Sequence, residues 1–265
     1  MKKLLGLLFL MLLLLAACGN NTPKESSTDH SETENKEAVA SENENEEVET
    51  EADEEATVSL SSLASCEGIL LEVGKIIEGK QLAACMADAM IAAGSGSHKI
   101  ISSTGTTKVD FQWNPDFSMH VESEHSTVIV DGDTGWMNIP GRGWVEETDN
   151  PNDTDEVIAS NVVQLTRALG HPIAIAENFA QSPTWHVIAQ GPVPDADAFV
   201  DTAWHLAPEG PINLGDAILT DVQLWVTQNY LGAYYISTAT ISGLTDTTSN
   251  TFLQWGEPVD IPSPK

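Results

Sequence analysis

Apolar positions along this chain change their spacing several times, and each change marks an element. Leu4 to Leu15 is an almost unbroken apolar run; its length of about 12 residues falls short of the roughly 20 that a helix needs to cross a bilayer. No apolar periodicity follows until about residue 58. Gly68 to Ile77 is apolar again and predicts a helix interrupted by Gly74 and Gly79. Lys80 to Ala93 (KQLAACMADAMIAA) spaces Leu82, Cys85, Met86, Met90 and Ala93 at helical intervals, and Gly94 stands where a C-cap belongs.

Beyond Gly94 the period changes from 3.6 to 2. Val109, Phe111 and Trp113 alternate with Lys108, Asp110 and Gln112, and Met119 and Val121 alternate with His120, Glu122 and Glu124. Asn114-Pro115-Asp116 joins these two strands, and Asp131-Gly132-Asp133 turns Val128–Val130 back into Trp136–Ile139. The pattern predicts an antiparallel meander of about four or five strands. Val157 to Leu169 is amphipathic, Pro172 opens a second short helix, and Asp195 to Leu206 predicts a third; Thr184 to Ala189 reads as one strand among them. Three strands close the chain between Ala217 and Trp255, with Val222, Leu224 and Val226 on one face.

These elements imply an α+β fold: a single curved antiparallel sheet covered by helices. Strict alternation assigns Val109, Phe111, Met119, Val121, Trp136, Trp185, Val187 and Leu224 to the inward face. Seven tryptophans lie within residues 58–265. Large flat side chains on strand faces either fill a core or line an apolar pocket, and the pattern leaves both open.

The N-terminus changes the picture. Lys2 and Lys3 precede the apolar run, and Leu15-Ala16-Ala17-Cys18 puts small residues just before a cysteine. This predicts a signal peptide over 1–17 and resembles a bacterial lipobox, in which the cysteine is lipid-modified. Two or more acyl chains anchor a protein stably, whereas one binds reversibly. The expectation is a protein held by a lipid on Cys18 at the extracytoplasmic face of a cell membrane. From 18 to 57 the chain carries 14 Asp/Glu, two Lys and no aromatic residue, which predicts a disordered acidic tether. A flexible coil of that length reaches roughly 35 Å. Residues 58–265 form the folded domain.

That domain holds 26 acidic residues against seven Lys/Arg, a balance that argues against a nucleic-acid partner. Cys66 and Cys85 remain once Cys18 is lipidated. In an oxidising compartment such a pair reads as one disulfide, with two buried free thiols as the alternative. The chain has no nucleophile elbow, phosphate loop, HExxH or calcium loop. Gly94-Ser95-Gly96-Ser97-His98 is a helix cap running into a strand, and Asp149 to Glu156 lacks the central glycine of a calcium loop. The reading has no catalysis, metal or cofactor.

Met86 to Ile100 (MADAMIAAGSGSHKI) resembles the helix-to-first-strand segment of the LppX/LprG-type lipoproteins. Val128 to Val145, Thr184-Trp185-His186 and Gln254 to Val259 (QWGEPV) resemble that family's later hairpin, inserted strand and closing segment, in the same order. The resemblance implies a LolA/LolB-like half-barrel whose concave face binds or ferries a lipid or acylated small molecule. The inward residues above would then line the cavity. The same half-barrel with a filled core would instead serve as a cell-envelope interaction or scaffold domain. The acidic tether and the Cys66/Cys85 pair depart from the family pattern.

Overall fold

The computed structural model of the protein describes residues 63–264. The signal segment 1–17, the stretch 18–57 and Cys18 lie outside the described residues. Among the described residues, 13 strands form one sheet: β1 (Ile76–Glu78), β2 (Ser95–Ser102), β3 (Gly105–Gln112), β4 (Ser118–Ser123), β5 (Thr127–Asp131), β6 (Thr134–Ile139), β7 (Gly143–Glu146), β8 (Thr184–Pro192), β9 (Thr202–Pro208), β10 (Ile212–Leu214), β11 (Ala217–Val226), β12 (Gly232–Ile241) and β13 (Leu244–Trp255). Three α-helices accompany them: α1 (Gly79–Ala93), α2 (Thr154–Gly170) and α3 (Pro172–Ala180).

The spatial order is β1-β8-β9-β11-β12-β13-β2-β3-β4-β5-β6-β7, with β10 beside β11. Every pairing is antiparallel. The sheet is open, with β1 and β7 as its edges, so the fold is α+β with one antiparallel sheet under helices. The expected meander is present and longer than predicted, running through six strands from β2 to β7.

Two corrections concern elements read as helix. Gly68 to Ile77 holds an extended segment that ends in β1, preceded by a 3-10 turn, Ala64–Cys66. Gly68 and Gly74 take φ of 80° and 84°, a conformation foreign to a helix, and Ile77 pairs with Trp185 instead. Asp195 to Leu206 is a loop followed by β9. Ala203 and Leu206 are both buried and three residues apart because they belong to different faces of one strand: Ala203 packs with Trp225 and Tyr234, and Leu206 with Leu224 and Val226. A strand covered on both sides mimics helical spacing. The three-residue β10 was missed altogether.

Two cores lie beneath the helices. Under α1 and α3, Leu82, Met86, Met90, Ala176 and Phe179 meet Trp185, Val187, Leu206, Leu224 and Val226. Under α2, Ala159, Val162 and Val163 meet Val109, Phe111, Met119, Val128, Val130, Met137 and Val145. Gly94 ends α1 at φ 76°, its N–H donating to the Met90 carbonyl, as the predicted cap requires. Asp153 caps α2 by accepting from the Glu156 N–H. Cys66 and Cys85 are joined by a disulfide that ties the incoming chain to the middle of α1.

Candidate functional site

The residues expected to line one cavity separate into three groups. Val109, Phe111 and Met119 are buried beneath α2, with Val121 partly buried beside them. Trp185, Val187 and Leu224 are buried beneath α1 and α3. Trp185 is fully enclosed; its indole N–H donates to the Phe179 carbonyl at the end of α3, and its ring meets the Phe179 ring edge-on at 5.6 Å. There the end of α3 meets the sheet. Trp136 is the correction. Its register partners are Ile129 and Glu146, in the row continued by His120 and Asp110, whereas Val128 and Met137 share the core face. The inward position next to it is Gly135, where a Cβ would stand 2.1 Å from Val163 Cγ1 of α2. The helix leaves room for glycine there, and the indole goes to the other face.

Between the two cores lies an aromatic seam on the middle strands. Phe111 and Trp113 stack at 4.4 Å, Phe252 and Trp255 at 4.9 Å, and Phe111 and Trp255 meet edge-on at 5.3 Å. Gly96 makes this possible: it stands opposite both Phe111 and Trp255, and a Cβ on it would come within 2.7 Å of Phe111 Cζ. Trp113 and Trp255 pack against both cores and remain partly exposed. Their indole N–H groups donate to the Gly170 carbonyl at 3.1 Å and the Gly232 carbonyl at 2.8 Å, so the polar end of each ring is satisfied and the apolar faces line the seam.

His98 borders the seam on β2. Its ring lies 5.2 Å from Phe252 and 5.9 Å from Phe111, and its Nδ1 is buried without a hydrogen-bond partner. Loss of hydration pushes the imidazole down to about 4, against a smaller upward pull from Asp110, so the seam carries no charge at neutral pH. Sequence reasoning noted Trp113 and Trp255 but did not place them together, and it missed Phe252 and His98. Phe252 and Trp255 share a face because the β13–β2 pairing shifts register between Phe252 and Gln254. No alternation could reveal that bulge.

Elsewhere, a shallow polar recess of about 440 Å3 opens beside β7, lined among others by Arg142, Trp144, Glu146 and Glu156. Its polar walls do not suit an acyl chain. Among the described residues no three His, Cys, Asp or Glu side chains come together as metal ligands.

The chain is similar in structure to LprF from Mycobacterium bovis. The identity is 12%, the TM-score 0.41, and the matched region covers 70% of this chain and 96% of LprF. No family model matches the sequence, and no curated protein does.

Proposed function

We propose that the protein is a lipoprotein held at the extracytoplasmic face of a cell membrane by an acyl anchor on Cys18, and that its domain, without catalysis, takes up the acyl chain of a lipid or an acylated small molecule at the aromatic seam. The supporting observation is that Trp113 and Trp255, on the line where the α2 roof and the α1–α3 roof meet, stay partly exposed on an otherwise apolar wall. An acyl chain would enter by parting the two roofs. Apolar burial is worth about 25 cal/mol per Å2 in either environment, so moving a chain from bilayer to seam costs little net free energy.

A second reading, a non-enzymatic interaction or scaffold domain with a filled core, draws on a separate observation. α2 sits so close to the sheet that a Cβ on Gly135 would touch Val163, and one on Gly170 would stand 2.1 Å from Met119 Sδ. Mass spectrometry of an apolar extract of the purified protein separates the two readings. A copurifying lipid that Val121→Phe, at the partly buried rim, displaces without lowering the melting temperature supports the carrier. Val187→Trp, in the fully packed part, should cost about 1–3 kcal/mol under either reading. An empty extract, together with a similar stability loss for Val121→Phe, would end the carrier reading.

A further inference from the structure

The extended segment before α1 has two faces of different fate. Ile69, Leu71 and Ile77 are buried in the α1–α3 core, and the Tyr230 hydroxyl donates to the Ile69 carbonyl. Leu70, Val73 and Ile76 point to water at 51%, 65% and 61% exposure. The Gly74 N–H donates to the Val187 carbonyl, and the Val187 N–H to the Lys75 carbonyl. Those bonds bring Ile188, 47% exposed, to the same edge. Three solvated branched side chains, Val73, Ile76 and Ile188, thus lie along β1, the outermost strand of the sheet, and Leu70 precedes them on the incoming segment.

Charge singles out the same edge. Residues 63–80 carry three carboxylates and two lysines, whereas 81–264 carry 23 and four. Those four cations are all held by carboxylates: Lys99 by Asp195 at 3.0 Å, Lys108 by Asp110 at 3.1 Å, Arg142 by Asp153 at 2.7 Å, and Arg167 by Glu147. Lys75 meets only the exposed Glu72, at 3.8 Å, and Lys80 forms no ion pair among the described residues. Glu78 shares the exposed face of Ile76, and Glu209 accepts from Thr184 opposite it, so this segment carries a small negative charge in a domain that is strongly acidic elsewhere. Residue 63, where the described chain begins, stands seven positions before Leu70 on the side of Cys18.

We infer that this edge is a docking surface for a lipid bilayer, with Leu70, Val73, Ile76 and Ile188 entering the headgroup–acyl boundary and Lys75 and Lys80 facing lipid phosphates. Amphipathic surfaces of this composition bind bilayers by such a division of labour. The inference rests on the reading of Cys18 as a membrane anchor. It deepens that reading by fixing an orientation: the domain lies down on the membrane at its β1 edge.

The test places an environment-sensitive fluorophore on Val73→Cys in the full chain, without reductant so that Cys66–Cys85 stays closed. Leu244→Cys, exposed and separated from β1 by four intervening strands, is the reference position. In phosphatidylglycerol/phosphatidylcholine vesicles containing acyl-brominated lipid, quenching at position 73 and none at 244 is expected. The pair Val73→Asp/Ile76→Asp, read with the probe at Ile188→Cys, should cut quenching at 188 by about tenfold per side chain or more while the protein stays in the membrane fraction. Equal quenching at 73 and 244, quenching at neither, or a shift at 73 that needs only a second protein copy would overturn the docking surface. Failure of the anchor is distinguishable, because the protein would then leave the membrane fraction. In that event soluble protein is floated with the same vesicles: flotation that Val73→Asp/Ile76→Asp abolishes upholds the surface, and no flotation rejects it.

Discussion

The half of the sheet under α2 and the half under α1 and α3 solve the same problem differently. Under α2, strands β2 to β7 follow one another in sequence and in space, and one helix supplies the cover. Under α1 and α3, β1 comes from before the meander while β8, β9, β11 and β12 come from after it, and the outer face is covered as well. There His205 stacks on Trp225 at 4.2 Å, Tyr234 meets Trp225 edge-on, and Val193, Phe199 and Val200 of the preceding loop close over them. Asp195 fastens that loop by accepting from Thr251 and pairing with Lys99, so its carboxyl is held below the ordinary range, chiefly by the Thr251 hydroxyl. One half is assembled from local contacts, with its apolar cluster on one face and Asp110, Ser118 and Ile129 buried on the other; the other half depends on contacts between distant segments and carries an apolar cluster on both faces. Local assembly carries the lower loop-closure cost.

The largest effect that would sharpen this contrast is Trp185→Ala. Removing a fully enclosed indole leaves a cavity under α3 and should cost about 3–5 kcal/mol, read from chemical denaturation. Hydrogen exchange on the same variant should accelerate first in β1, β8 and β9. Uniform acceleration through β3–β6 would show that the halves unfold as one and would erase the contrast.

The contrast also explains what was legible in the chain. In β3 and β4 the apolar residues occupy one face and the other is polar even where it is buried, as at Asp110 and Ser118, so Val109, Phe111 and Met119 alternate visibly with polar residues. In β9 both faces are covered, alternation vanishes, and a strand looked like a helix. Trp136 failed for a third reason: Trp136 and Met137 are both large and apolar, and only the close approach of Val163 to Gly135 decides which of them faces the core. The aromatic seam was hidden more deeply, since Phe111 and Trp255 meet through a pairing of β13 with β2 that joins segments some 150 residues apart. Periodicity has nothing to say about such partners.

A smaller effect tests the half under α1 and α3 alone. Replacing Cys66 and Cys85 by serine should cost about 3 kcal/mol in the chain-entropy picture, with little change in exchange rates across the meander. Thiol labelling of denatured, unreduced protein should find neither cysteine; full labelling of both would remove the bridge from the account.

The last effect belongs to the seam and is spread over a range of pH. The His98 imidazole is held near 4 by loss of hydration, against about 6.5 in the unfolded chain. Between these values the unfolded state binds more protons, so stability is complete above about pH 6.5 and falls as pH drops toward 4, by at most about 1.4 kcal/mol per unit. Urea midpoints across that range should show the slope in the wild type and a flatter one in His98→Phe. An unchanged slope would mean that the ring meets water freely and that the seam is wetter than its aromatic walls imply.

The position of the Cys66–Cys85 bridge has a mechanical consequence. The bridge closes a covalent loop around residues 67–84, and the three-residue edge strand β1 lies inside it. A pull on the chain ahead of residue 63 passes through Cys66 directly into Cys85, at the centre of a helix seated by Leu82, Met86 and Met90. The load therefore bypasses β1, a three-residue edge strand, and is borne by the buried face of α1. With the bridge reduced, the same pull would reach β1 first and unzip it from β8 one residue at a time.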